Sequence, residues 1–254
     1  MCKFNFCTVP KSRLRRPAWA TAAIRSGPAA DAWTRGGAGE DIRTMTSLAE
    51  RTRVAEYMRR LYARGLTTAS GGNISCRTGA GTVAVTASKL DKAVISAAGV
   101  GLVTPAGVTL TPDLALSIET AMHLAIYARR PDVQAIVHAH PVFASAFSAA
   151  PAPVNTHLTA EAYAILGDPV FIPYALMGTP DLANQVAAAL ATASCGVLEN
   201  HGVIALGASL LEAFDRIEVL ENAARQTVIL AQLGGPRELS PERRRQLDIF
   251  MERA

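Results

Sequence analysis

From Ser47 to the C-terminus, short apolar pieces of strand length alternate with segments of helix length, and Gly, Pro or Asn marks most of the junctions. This punctuation restricts the fold more than any other feature. Ser47 can cap a helix whose apolar residues Val54, Met58, Leu61 and Tyr62 share one face, with Gly65 as its stop. "NISCR" and "TVAVTAS" flank the turn-like "TGAG" and predict a hairpin; "GLVTPAGVTLTP" predicts a second strand pair about Pro-Ala-Gly. "SIETAMHLAIYARR" predicts a helix and "VQAIVHA" a strand, followed by helices near 142–149 and 159–166 and the short strand "PVFIPY". The helix "TPDLANQVAAALATA" precedes the strands "GVLEN" and "GVIALG"; a long helix from about 209 to 233 and another after "SPERRR" complete the chain. Strand pairs joined by tight turns and interleaved with helices favour a single α/β domain over residues 45–254, its sheet mixed and substantially antiparallel. No repeat and no G-x-G-x-x-G fingerprint opens a helix.

Charge separates the beginning of the chain from the rest. The net charge of +4 and pI near 9.0 would suit a nucleic-acid partner if the charge lay on the folded part. Residues 1–44 instead hold eight basic and three acidic side chains, leaving 17 basic and 18 acidic for everything after them. That tail has no sustained periodicity and no continuous apolar stretch of a secretory signal, so residues 1–44 are read as a disordered or artefactual extension ahead of Met45. No apolar run reaches the ~20 residues of a membrane helix. Nucleic acid and membrane are therefore excluded as partners. Cys2, Cys7, Cys76 and Cys195 show no paired spacing, which argues against a disulfide framework or a cysteine zinc site and for a reducing cytoplasm.

"VQAIVHAHP" carries the chemistry. Residues two apart on a strand point the same way, so His138 and His140 project both imidazoles from one face, a chelating arrangement. A divalent ion such as zinc takes a third protein ligand, and His201, in the turn of "ENHGV", is the candidate. Ser117 as an N-cap would put Glu119 in the first turn of the next helix, where the dipole stabilises a carboxylate. Taken singly, each of these residues has an ordinary structural explanation; the combination points to a metal site.

These segments, with "GLTTASGGNIS", "VTASKLDK", "IPYALMGTPDLA" and "ENHGVIALGASLLEAFDRIEVLENAA", resemble in order and spacing the class II aldolase/adducin family over roughly residues 47–232. The resemblance implies a three-layer α/β/α fold around a mixed, mostly antiparallel sheet, and a cyclic homotetramer with active sites at subunit interfaces. It implies His138, His140 and His201 as ligands of Zn2+ or another divalent metal, and Glu119 as the acid/base carboxylate. In such enzymes the ion stabilises the enediolate formed when a carbon–carbon bond of a ketose phosphate breaks, while the carboxylate moves the proton. For the phosphate, Asn73, Ser88 and Ser117 match the family pattern. Lys89 stands where glycine is usual and Ile118 where a second serine is usual; the lysine would either add a charge contact or obstruct a backbone amide. "ASGGN" reads either as a flexible turn or as an anion-binding nest. No tyrosine follows Tyr174, so the family's C-terminal proton donor has no counterpart; Tyr163, Glu161 and His157 lie in the region of a donor from a neighbouring subunit. His123, one turn beyond Glu119, suits packing or support of the site better than ligation.

Three functions are compatible with this pattern. The first is a zinc aldolase cleaving a sugar phosphate such as L-fuculose 1-phosphate into dihydroxyacetone phosphate and an aldehyde. The second keeps the metal site but makes the protein an epimerase, dehydratase or decarboxylase of a related sugar phosphate. The third, a non-catalytic adducin-like interaction module, fits least well, because adducin head domains lack the metal histidines and all three stand here.

Overall fold

The computed structural model describes residues 47–253; the reading of residues 1–44 lies outside them. Strands β1 (Asn73–Arg77), β2 (Val83–Thr86), β3 (Val100–Val103), β4 (Ala135–Ala139), β5 (Val170–Ile172), β6 (Cys195–Leu198) and β7 (Gly202–Gly207) form one sheet in the order β3-β2-β1-β4-β7-β6-β5. Every neighbouring pair is antiparallel except β5 and β6, which are parallel. The mixed, mostly antiparallel sheet expected from the sequence is therefore present.

Helices cover both faces, which is why the central strands are apolar on successive residues instead of alternating with polar ones. On β4, Ala135, Val137 and Ala139 pack into one core with residues of α1 (Leu48–Ala63), α3 (Val142–Phe147), α4 (Ala160–Leu166) and α6 (Leu210–Gln232). Ile136 faces the other way, into a second core with Met122 and Ile126 of α2 (Thr120–Arg129) and Leu182 and Val186 of α5 (Pro180–Ala189). Strand parity puts His138 on the α2 side with Ile136. The last helix, α7 (Pro241–Phe250), buries no residue completely.

Local chemistry accounts for the boundaries. The first helix ends as Gly65 anticipated: Gly65 takes φ +69, its N–H donates to Tyr62 O at 2.9 Å, and Leu66 N–H donates to Leu61 O at 3.0 Å, the paired bonds of a Schellman stop. Tyr62, in the last turn, stays 37% exposed, and Ala55 joins the buried face instead. The strand pair expected around Pro-Ala-Gly forms on one side only. Beyond β3 the return segment makes a single bridge, Val103 to Thr109, because the Thr111 hydroxyl accepts the Leu102 N–H that a continuing ladder would have used.

Candidate metal centre

The edge of β4 nearest the β6–β7 turn gathers the three histidines. His138, fully buried, pairs with Ile204 across the sheet, and its Nδ1 lies 2.9 Å from Val203 O. A carbonyl can only accept, so Nδ1 carries the proton and Nε2 keeps its lone pair free. His140 Nε2 lies 3.1 Å from His138 Nε2. His201 comes over from the turn after β6, set by Asn200 at φ +52, and its ring centroid is 4.8 Å from that of His138 and 5.4 Å from that of His140. The ligand atoms of all three lie within 4.8 Å of one another.

Glu119 closes the fourth side. Its Oε2 is 3.3 Å from His138 Nε2 and its Oε1 is 3.3 Å from His201 Nε2. Asn73, opposite His138 on β1, donates Nδ2–H to Glu119 Oε2 at 2.8 Å. The expected N-cap shifts by two residues: Glu119 itself occupies the cap position, and Ser117 ends the preceding turn, its Oγ accepting Glu119 N–H at 3.3 Å and its carbonyl accepting Thr120 N–H at 3.0 Å. The Glu119 carboxylate caps nothing in its own helix, which leaves it free to face the imidazoles.

The electrostatics suit a cation. Burial, with His138 and His201 nearby, holds the His140 imidazole down to about 4, and His201 is lowered for the same kinds of reason. Burial pushes the Glu119 carboxyl up, but His138, His201 and the Asn73 amide outweigh it and hold the group below the ordinary carboxylate range. Imidazole nitrogens grouped beside a carboxylate are the donor set of a divalent metal. Ligands ~2.0–2.1 Å from a tetrahedral ion lie roughly 3.4 Å apart; the His138–His140 edge of 3.1 Å and the two 3.3 Å edges to Glu119 are close to this, while the three histidine ligand atoms together spread over as much as 4.8 Å. Among the described residues Glu119 Oε1 has no hydrogen-bond partner, as expected of an atom facing an ion or a substrate.

A cleft of about 490 Å³ opens over this centre, lined by Asn73, Ser88, Lys89, Ser117, Glu119, His140 and His201. All the residues expected to bind substrate thus reach one cavity, with His138 behind it. Ile118, noted in the sequence for standing where a second serine is usual, lines it too; Lys92, Asn200 and Met177 also line it and were not singled out from the sequence. A histidine-flanking Asn in a tight turn was a readable signal for Asn200; Lys92 had none. Gly72 gives "ASGGN" a packing role: at φ +63, a Cβ there would lie 2.7 Å from His138 O, so the glycine allows the loop to approach the ligand strand.

His123 sits under the centre, fully buried, with Nδ1 2.7 Å from Ser75 Oγ, which in turn lies 2.9 Å from Tyr127 OH. This supporting position agrees with the packing role expected. None of Tyr163, Glu161 and His157 lines the cleft of its own chain: Tyr163 OH donates to Asp248 Oδ2 at 3.0 Å, and His157 Nε2 is 2.8 Å from Asp168 Oδ1.

A family model described as the class II aldolase and adducin N-terminal domain matches residues 52–228. The chain belongs to the class II aldolase/adducin family. A 3-oxo-tetronate 4-phosphate decarboxylase of Haemophilus influenzae is 32% identical over 185 residues, covering 71% of this chain and 88% of that protein. An L-fuculose phosphate aldolase of Methanococcus maripaludis is 30% identical over 189 residues, covering 72% and 98%. Among solved structures, a protein of Escherichia coli described as a putative aldolase/epimerase/decarboxylase superposes with a TM-score of 0.74 at 25% identity, over 82% of this chain and 99% of its own. Within the class II aldolase/adducin family these relatives span more than one reaction, so membership defines the fold and leaves the reaction and substrate to the site.

One packing constraint of this family member is testable directly. A Cβ on Gly202 would meet His140 Cδ2 and lie 2.6 Å from Ala139 O, and the carbonyl cannot yield. Gly202→Ala should cost about 1–3 kcal/mol of stability and weaken metal retention by displacing His140, read by thermal melts and elemental analysis.

Proposed function

We propose that the protein is a divalent-metal-dependent lyase of phosphorylated sugars: a zinc aldolase that cleaves a ketose phosphate such as L-fuculose 1-phosphate into dihydroxyacetone phosphate and an aldehyde. The observation that supports it most is the convergence of His138, His140 and His201 nitrogens beside the Glu119 carboxylate, inside a cleft large enough for a phosphorylated sugar. A divalent ion held by the three imidazoles would supply Lewis acidity at the substrate's carbonyl oxygen. The protein's own side chains do the rest. Glu119, ionised and held by Asn73, takes the proton from the carbon beside that carbonyl in the condensation direction and returns it to the same carbon after cleavage. His138 Nδ1–H on Val203 O keeps the ligand tautomer fixed. The subunits form a cyclic homotetramer in this reading, so light scattering should give the mass of four chains.

A decarboxylase is the second reading, favoured by the 32% identity to the 3-oxo-tetronate 4-phosphate decarboxylase. Loss of carbon dioxide from a 3-oxo acid and loss of an aldehyde from a ketose leave the same kind of carbanion beside a carbonyl; the proton that carbon then takes is the one released by the cleaved hydroxyl in the aldolase and one drawn from solvent in the decarboxylase, and Glu119 passes it on in either case. The deciding experiment supplies the metal-loaded protein with a panel of ketose phosphates and 3-oxo acid phosphates. Release of triose phosphate supports the aldolase; its absence from every ketose phosphate, with carbon dioxide released from an oxo acid, replaces it with the decarboxylase.

A further inference from the structure

Three of the four side chains expected to hold a phosphate are already engaged within the chain. Asn73 Nδ2 donates to Glu119, Ser88 Oγ donates its hydrogen to Leu116 O at 3.0 Å, and Ser117 Oγ accepts from Glu119 N–H. Lys92 is a cation in the cleft wall, but it is 1% exposed, its Nζ donates to Ala87 O at 2.9 Å, and burial lowers its affinity for a proton. None of these offers a free charge to an anion.

Lys89 does. Its side chain is exposed where it lines the cleft, and among the described residues it makes no side-chain hydrogen bond or ion pair. Its backbone lies at φ +58, in the left-handed region. A residue with a Cβ is strained there by ~1 kcal/mol or more, whereas glycine is not. A lysine at this position therefore gives up stability, and what it provides in return is an ammonium at the cleft. Ile118 and Met177, 61% and 53% exposed, add apolar surface to the lining of the same cleft.

We propose that Lys89 is the charge-recognition residue of this cleft, its ammonium pairing with the terminal phosphate dianion of the substrate while the Ser117 hydroxyl, which accepts from Glu119 N–H and keeps its own hydrogen to donate, orients that group. The identity of the anion rests on the sugar-phosphate reading above; the role of Lys89 as the group that discriminates charged from uncharged substrates does not depend on which bond is broken.

The test is binding of inorganic phosphate to the metal-loaded full chain at constant ionic strength, measured by titration calorimetry for wild type, Lys89→Met, Lys89→Gly and Lys89→Arg. Loss of one charge-assisted hydrogen bond should weaken phosphate roughly ten- to hundredfold in the Met and Gly variants, while Arg retains most of the affinity. Lys89→Gly should melt no lower than wild type, because glycine relieves the left-handed strain, and every variant should keep its metal. A purely structural lysine predicts the reverse pairing of results, a changed melting temperature with phosphate affinity intact. Undiminished phosphate binding in Lys89→Met, or no phosphate binding by wild type, overturns the proposal. If affinity falls as expected while the ketose phosphate screen yields no triose phosphate, the aldolase reading fails and the role of Lys89 stands.

Discussion

Replacing His201 by alanine should strip the metal from the purified protein and abolish turnover, with the fold intact. His201 is the cleanest of the three ligands to remove: its side chain is 12% exposed and it sits in the β6–β7 turn, so truncation opens no hole in either core. Deleting one of three protein nitrogens should lower metal affinity by more than the roughly 10- to 100-fold that follows loss of a mere supporting group. His138→Ala should lose metal as completely but also stability, since it leaves Val203 O without its Nδ1–H donor in a buried site, at a cost of about 1–3 kcal/mol. Elemental analysis of both variants decides; full retention of metal in both would rule out this centre. The metal-free protein should carry a pH signature of the same packing. His140 is held at about 4 in the folded chain against 6.5 unfolded, so the unfolded state takes the proton first. Stability should be complete above about pH 6.5 and decline as pH falls through the window toward 4, where thermal melts would record it.

What was legible in the sequence was local. Strand parity put His138 and His140 on one face, and the left-handed glycine at 65 ended the first helix where its type predicts. Both follow from backbone geometry within a few residues. What was not legible depends on partners distant in the chain. Asn73 reads as a substrate-binding residue in its loop, yet its amide holds the Glu119 carboxylate, 46 residues away. Lys92 is one of three charges in "KLDK", and nothing in that stretch foretells that its ammonium is buried on Ala87 O. The return strand after Pro105 has the right pattern, but a side-chain hydroxyl at Thr111 competes for the backbone donor it needed. Glu119 combines both kinds of information: the helix start is readable, whereas the two-residue shift of the cap, which frees the carboxylate, follows from how Ser117 is used.

Glu119→Gln should separate the two accounts of that residue most sharply. As an acid that only favours a helix start, Glu119 would be replaceable for a few tenths of a kcal/mol, ~1 at most, with activity preserved. As the proton-transfer group it should leave fold and metal largely in place, because the three imidazoles remain and the amide keeps the carboxylate's shape. Asn73 Nδ2 can still donate to the amide oxygen, so the side chain should stay where it is. Turnover should nevertheless fall by about two to four orders of magnitude, the usual worth of a positioned acid or base. The loss should appear in kcat more than in KM, since the substrate's contacts with the metal and the phosphate end are untouched. A half-reaction isolates the step: exchange of the carbon-bound proton of dihydroxyacetone phosphate with deuterated water needs no aldehyde, only the base and the metal. It should collapse in parallel with turnover in Glu119→Gln and persist in Lys89→Gly once the ketone is saturating. Exchange at the wild-type rate in Glu119→Gln would place the base elsewhere, with Tyr163, Glu161 or His157 of a neighbouring subunit next to be tested.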